Sequence, residues 1–307
     1  DGFVFDSGIR ALENSGILFP MLRRLGIDMA FVRSTVSLGV EDTVMRLPDS
    51  GSVEEYEKFL IGLFPESAAD VRGIVEDIST FMRYMDVLYG IDNPMFLDMR
   101  QDRDYVTRKI LPWLVRYLFT APKIARLQEP VDEYLERRTS NRVLRDMIAQ
   151  HFFAKTPTFF AMSYLSLYLD YHYPLGGIGA VPERLVRFIT SRGGEIRNQT
   201  EVVRVDSASR TATDGAGGVH PYRELIWAAD VNRLYRAVDS SRAPEPRVRG
   251  AIAGTRRKLA GKRGGDSVLM IYAAVDLPPN HFASICTGHF FYTPRKTGLS
   301  SMPSAPP

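Results

Sequence analysis

Residues Tyr173–Pro182 read YPLGGIGAVP and run directly into ERLVRFITSRGGEIRNQTEVVRV at 183–205. Pro182 suits a first helical turn, where a missing N–H removes no bond, and Leu185, Phe188 and Ile189 form a stripe that predicts a short helix with one buried face. Gly193 and Gly194 supply its left-handed stop. The glycines at 176, 177 and 179 leave the backbone ahead of the helix bare. Its N–H groups and the helix dipole can then approach a flat or anionic ligand closely, although glycines mark plain turns more often than ligands. Beyond the stop, Ile196, Val202, Val203 and Val205 alternate as a strand, expected to be central in its sheet. A glycine-rich turn (RTATDGAGGVHPY) leads to a second strand, Glu224–Ala229, and Asp230 caps a helix containing Leu234 and Tyr235. Helix, strand, hairpin, strand, helix is an α/β layout.

Upstream, Phe3 and Phe5 alternate with polar or small residues and predict a short strand that turns at Ser7 and Gly8. AFVRSTVSLG and DTVMRLPDSG predict a hairpin joined through Gly39. Ser52 and Glu55 have capping-box spacing ahead of a Tyr56, Phe59, Leu60, Leu63 stripe, and VRGIVEDISTFMRYMDVLYG continues as a longer helix. Residues 108–126 combine Arg108, Lys109, Arg116, Lys123 and Arg126 with Trp113, Leu114, Tyr117, Leu118 and Phe119. Such a basic, aromatic segment suits peripheral contact with an anionic membrane; the plainer reading is a surface helix pair broken at Pro122. After a cap at Thr156 and Pro157, Phe160, Tyr164, Leu167, Tyr168 and Tyr171 fall on one helical face. They predict either ordinary core or the wall of a long apolar cavity. Downstream, 240–266 reads as linker or charged surface helix, SVLMIYAAVDLPP and HFFYTPRKTG as strands, and 301–307 as a disordered tail.

Composition bounds the function. A chain of 307 residues, 45% hydrophobic and 24% charged, has material for about two domains. Its net charge of +3, from 39 basic against 36 acidic residues, is dispersed and asks for no nucleic-acid partner. The single Cys286 forms no internal disulfide and fits a reducing compartment. The richest apolar stretch, 152–169, is interrupted by Lys155 and Pro157, so no bilayer span is expected, and no signal peptide is recognised. The expected location is cytoplasmic, with membrane-peripheral contact as the variant. The five histidines show no metal-ligand spacing and no nucleophile motif surrounds Ser, His or Asp, so no metal and no catalytic residue are assigned.

The stretch from 173 to 205, followed by ELIWAADVNRLY, resembles the flavin-dependent amine-oxidase superfamily, and within it the phytoene desaturase and carotenoid isomerase branch. GFVFDSG at the start is similar to that branch's G-Y-x-F-D-x-G element, and HFFYTPRKTGL resembles a late strand of its phytoene-dehydrogenase-like members. The resemblance covers most of residues 1–300 and implies FAD as cofactor. It implies that Asp6 and Gly8 lie beside the flavin, and that Pro174, Gly176 and Gly177 face it across the substrate cavity. Val202 would meet the adenine through its backbone, and Ala229 and Asp230 would end a strand running past the cofactor. The plain structural readings of these positions are turn, turn, core strand and helix cap.

The implied architecture is an incomplete FAD-binding, Rossmann-like layer from 1–30 and 174–240, carrying an inserted helical and β substrate domain from 31–173 and 241–300. The family's G-x-G-x-x-G turn and its closing glycine-rich motif do not occur in this sequence. The chain is therefore expected to be an internal fragment that binds flavin weakly or not at all by itself, with enzyme activity belonging to a full-length parent. The implied activity is hydride transfer from a long apolar substrate such as a carotenoid-like polyene to flavin, in desaturation, saturation or isomerisation. The phenylalanine and tyrosine stripe, Phe160, Tyr164, Leu167 and Tyr168, would wall the substrate cavity. Alternatives are an amine oxidase or protoporphyrinogen-oxidase-like enzyme, or a lipid-binding escort on the same fold, as in GDP dissociation inhibitors. Oligomeric state is not read from these residues.

Overall fold

The computed structural model describes residues 2–8, 10–97, 102–153, 155–243, 245–262 and 269–297. Helix α1 (Leu18–Leu25) leads to β1 (Phe31–Arg33), β2 (Val36–Val40) and β3 (Thr43–Leu47). Helices α2 (Ser52–Leu63), α3 (Ala68–Tyr89), α4 (Arg103–Tyr105), α5 (Leu111–Ala125), α6 (Val131–Glu136), α7 (Arg142–Ala149) and α8 (Thr158–Tyr168) follow. Then come β4 (His172–Pro174), α9 (Ala180–Ser191), β5 (Val202–Asp206), β6 (Thr211–Asp214) and β7 (Val219–Pro221). The chain continues through α10 (Val231–Ala237), α11 (Pro246–Leu259), α12 (Pro279–Ile285) and β8 (His289–Thr293). Helices and small mixed sheets make an α+β fold.

Two compact units divide the chain: one runs up to Phe188 and resumes at Tyr272, and the other is 189–271. In the first unit, α3 buries Val71, Ile74, Val75, Ile78, Phe81 and Met85 at helical spacing, and packs along α8. Helix α8 carries apolar residues around most of its circumference and buries Phe159, Met162, Leu165, Leu167 and Tyr168, leaving Phe160 exposed. Each such large side chain contributes roughly 1.5–3 kcal/mol by leaving water. Strand β2 is buried along its whole length because it is central, antiparallel to β3 and parallel to β8. The one polar side chain on β2, Ser37, is satisfied there: its hydroxyl lies 2.8 Å from Thr287 Oγ1 and accepts from the Thr287 N–H at 3.0 Å.

The second unit is an antiparallel sheet in the order β5-β6-β7, with α10 and α11 beside it. Asp214 Oδ1 closes the β6–β7 turn by accepting from Ala216 and Gly218 N–H groups at 3.0 and 2.8 Å. Asp230 caps α10 as expected, accepting from the Arg233 N–H at 2.8 Å.

Several local expectations change. Phe3 and Phe5 lie in irregular chain, 69% and 45% exposed. The hairpin turns at Glu41 and Asp42, with Glu41 at φ 51°, and not at Gly39, which is within β2. Ser52 is the first residue of α2 rather than its cap; its hydroxyl accepts from the Asp49 N–H, and Glu55 pairs with Lys58 at 2.7 Å. Helix α5 continues through Pro122 to Ala125, since a proline this close to the helix end removes one bond near its last turn. Leu185 and Phe188 on α9 are half-buried and Ile189 is exposed. Residues 224–229 and 269–277 form no strand, and Ile226 and Leu269 are 90% and 86% exposed. Strand β5 is an edge strand, since β6 is central, and a parallel multistranded layer is absent among the described residues. Residues 10–12 and 31–33 pair with, or lie beside, 172–174, which is why 1–30 and 174–188 group with 31–173 and not with 202–240. The expected tail, 301–307, lies outside the described residues. Among the described residues no helix is long and apolar enough to cross a membrane.

Candidate functional site

The N-terminal segment is zipped onto the chain that precedes the double glycine. Leu12 and His172 exchange backbone hydrogen bonds of 2.9 and 2.8 Å, and the Asn14 N–H donates to Asp170 Oδ2 at 2.9 Å. On the other side β1 pairs antiparallel with β4, Phe31 opposite Pro174, and the Leu175 N–H donates to the Ala30 carbonyl at 2.9 Å. This clamp brings Asp6 onto the glycine turn. Asp6 Oδ1 accepts from the Ile178 N–H at 3.2 Å, and Oδ2 accepts from the Tyr173 hydroxyl. The bond to Asp6, with burial adding to it, raises the Tyr173 hydroxyl above its ordinary pKa of about 10.

The turn itself needs glycine. Gly176 and Gly177 have φ of 93° and 89°, and a Cβ on Gly177 would stand 3.2 Å from Asp6 Oδ1. The Gly177 N–H donates to the Pro174 carbonyl at 3.2 Å, and helix α9 begins three residues later. The result is a bare backbone turn with a carboxylate held against it.

Beside it opens a cleft of about 1120 Å³, lined by Asp6 and Tyr173 and by three arginines, Arg10, Arg33 and Arg46. Arg33 donates to the Leu169 carbonyl at 2.6 Å and Arg46 to the Ala283 carbonyl at 3.0 Å, so both are fixed in place. Three cations against one carboxylate suit an electron-rich or anionic ligand. Val32, Phe282, Phe290 and Phe291 add apolar wall. His289 also lines the cleft, and burial together with the charge of Arg10 lowers its pKa below the usual imidazole value, keeping it neutral near pH 7.

The expected site residues separate into groups. Asp6, Pro174, Gly176 and Gly177 come together; Pro174 is buried, and Gly8, at φ 80°, is exposed two residues from Asp6. Val202, Ala229 and Asp230 belong to the other unit, where Val202 opens edge strand β5 and Ala229 lies exposed in irregular chain rather than at a strand end. Asp230 lines a separate cleft of about 620 Å³ with Tyr235, Arg236 and Arg256. Of the aromatic stripe, Leu167 and Tyr168 are buried, Tyr164 is half-buried and Phe160 is 40% exposed. Its rings meet edge to face, Phe160 to Tyr164 at 5.2 Å and Tyr164 to Tyr168 at 4.9 Å, and Tyr168 then packs on Phe291 at 5.0 Å. The stripe thus backs the cleft through Phe291 and does not line it. The cavity that Tyr168 does line, beside His151, holds only about 30 Å³.

Reading the sequence missed Arg10, Arg33, Arg46, His289 and the whole wall from α12. The last two depend on β8 pairing with β2, a contact between segments about 250 residues apart that no local pattern announces. The chain matches no protein-family model and no curated protein.

Proposed function

We propose that this chain forms the flavin-facing part of an oxidoreductase of the phytoene desaturase and carotenoid isomerase kind, acting on a long apolar substrate such as a polyene. The observation that carries the reading is the convergence of Asp6 with the Gly176–Gly177 turn, two elements 172 residues apart at Ile178 that the resemblance assigns to one cofactor. The residues fit FAD's ring system: a glycine turn without side chains at Gly176 and Gly177, a volume above what a drug-sized ligand needs, and arginines in the lining. In this reading Asp6, Gly176, Gly177 and Arg10 hold the flavin, which when bound supplies the two-electron acceptor. Asp6 fixes the turn from both carboxylate oxygens, Arg10 complements electron density at the ring, and neutral His289 with Phe282 and Phe290 keeps an apolar substrate in dry surroundings.

In this reading the chain would meet the ring and not the pyrophosphate, since no G-x-G-x-x-G turn is present in it. Riboflavin and FAD titrated into the purified chain should therefore bind with affinities within a few-fold of one another, and both weakly. Asp6→Ala should weaken both about tenfold or more, the loss of a charge-assisted bond, with far-UV circular dichroism unchanged and Asp6→Asn intermediate. Equal, measurable affinity of Asp6→Ala and the parent chain defeats the reading and favours a non-catalytic carrier of apolar molecules.

A further inference from the structure

Helix α5 has two apolar faces. One is turned to the core: Trp113 Nε1 donates to the Val87 carbonyl at 2.5 Å, Trp113 stacks on Tyr117 at 5.0 Å, and Thr120 is buried. The other is Leu111, Leu114, Val115, Leu118 and Phe119, at the i, i+3, i+4, i+7, i+8 spacing of a single helical stripe, and every one is 43–73% exposed. At 100° per residue the stripe stands opposite the core-facing side. Five residues of this size on one line form a contiguous exposed apolar patch of the kind that marks an interaction surface.

Charge identifies what covers it. From Val106 to Gln128 the chain carries Arg108, Lys109, Arg116, Lys123 and Arg126 and no acidic residue. On the helix Arg116 and Lys123 share one flank of the stripe, and Lys123 Nζ is 5.5 Å from the Tyr84 ring, which fixes that flank to α3. Arg126 lies just past the helix end. A second copy of the chain docking through the same face would oppose like charges to like charges, which disfavours a symmetric dimer. An anionic lipid surface supplies apolar depth for the stripe and negative charge for the flank together.

We infer that α5 lies in the plane of an anionic bilayer, with Leu111, Leu114, Val115, Leu118 and Phe119 inserted at the acyl boundary and the basic flank against the headgroups. The inference stands on this helix alone and is independent of the flavin reading, because vesicle binding needs neither cofactor nor turnover.

The test is co-sedimentation of the whole chain with vesicles of phosphatidylcholine, alone or with about one third phosphatidylglycerol. The anionic vesicles should retain the protein and the neutral ones should not, and binding should weaken as salt rises toward roughly 0.5 M. Leu118→Glu with Phe119→Glu should lower retention about tenfold or more. Arg116→Gln with Lys123→Gln should lower it roughly twenty-five-fold at low salt, about fivefold for each cation removed. Val219→Glu, at an exposed position on β7, should change nothing, and circular dichroism should show all variants folded. Equal retention by neutral and anionic vesicles, or undiminished binding of the Leu118→Glu/Phe119→Glu variant, overturns the proposal. So does a wild-type chain that ignores vesicles. In that last case a dimer, seen by light scattering, that this double substitution dissociates assigns the face to a second copy.

Discussion

His151 is a titratable side chain placed among rings, with Phe291, Phe152 and Tyr168 at 5.1, 6.3 and 6.4 Å. Burial pushes its pKa down to about 4. In the unfolded chain it returns to about 6.5. Between those values the unfolded state holds more protons than the folded one, so unfolding free energy falls as pH drops from about 6.5 toward 4. Because part of the imidazole still reaches solvent, the change is on the order of 2 kcal/mol, less than the full shift implies. His289, lowered for the same reason, acts in the same direction. Urea midpoints at pH 7 and pH 4.5 should differ, and His151→Gln should remove most of the difference. A variant with an undiminished pH slope would assign the acid sensitivity elsewhere.

At the scale of elements, Gly39 shows how a correct pattern acquires a wrong cause. Its neighbours predict a hairpin and the hairpin forms, but the glycine is there for its missing side chain and not for a turn: a Cβ would stand 2.6 Å from the Phe290 ring on the neighbouring strand β8. Gly39→Ala is therefore expected to destabilise by about 1–3 kcal/mol. Combining it with Phe290→Ala should recover part of that loss, a coupling read from a double-mutant cycle in urea. Additive effects would show that the ring moves aside freely. The same distinction explains what was legible. Helices α3 and α8, the Asp230 cap and the Gly193 stop are written in nearby residues, because their bonds and faces are local. Residues 224–229 and 269–277 have strand composition, yet a strand exists only with a partner, and partners are not encoded in the segment. For the site, the Asp6 and double-glycine motifs marked two ends that the β1–β4 clamp joins, whereas Arg10, Arg33 and Arg46 enter the cleft through tertiary placement that no spacing foretells.

Across the whole molecule the buried apolar residues are unevenly shared. Among the described residues, every buried apolar side chain falls in the first unit except Val205, Ala212 and Ala243. The 189–271 unit thus has little hydrophobic stabilisation of its own and should open at lower free energy. Native-state hydrogen exchange should find the amides of Val205 and Ala212 less protected than those of Ile74 and Leu165; equal protection would mean that the units unfold together. The parallel partnership of β2 with β8 sets a different kind of limit, one of time. A ribosome that has made Ser37 must add about 250 more residues before Thr287 exists to meet it, roughly 12–50 s at ordinary elongation rates. For that interval the β2–β3 hairpin waits with an unpaired edge whose side chains are all destined for burial, so nascent chains, and any message cut short before His289, present the cell with a ready template for strand addition that a chaperone has to shield.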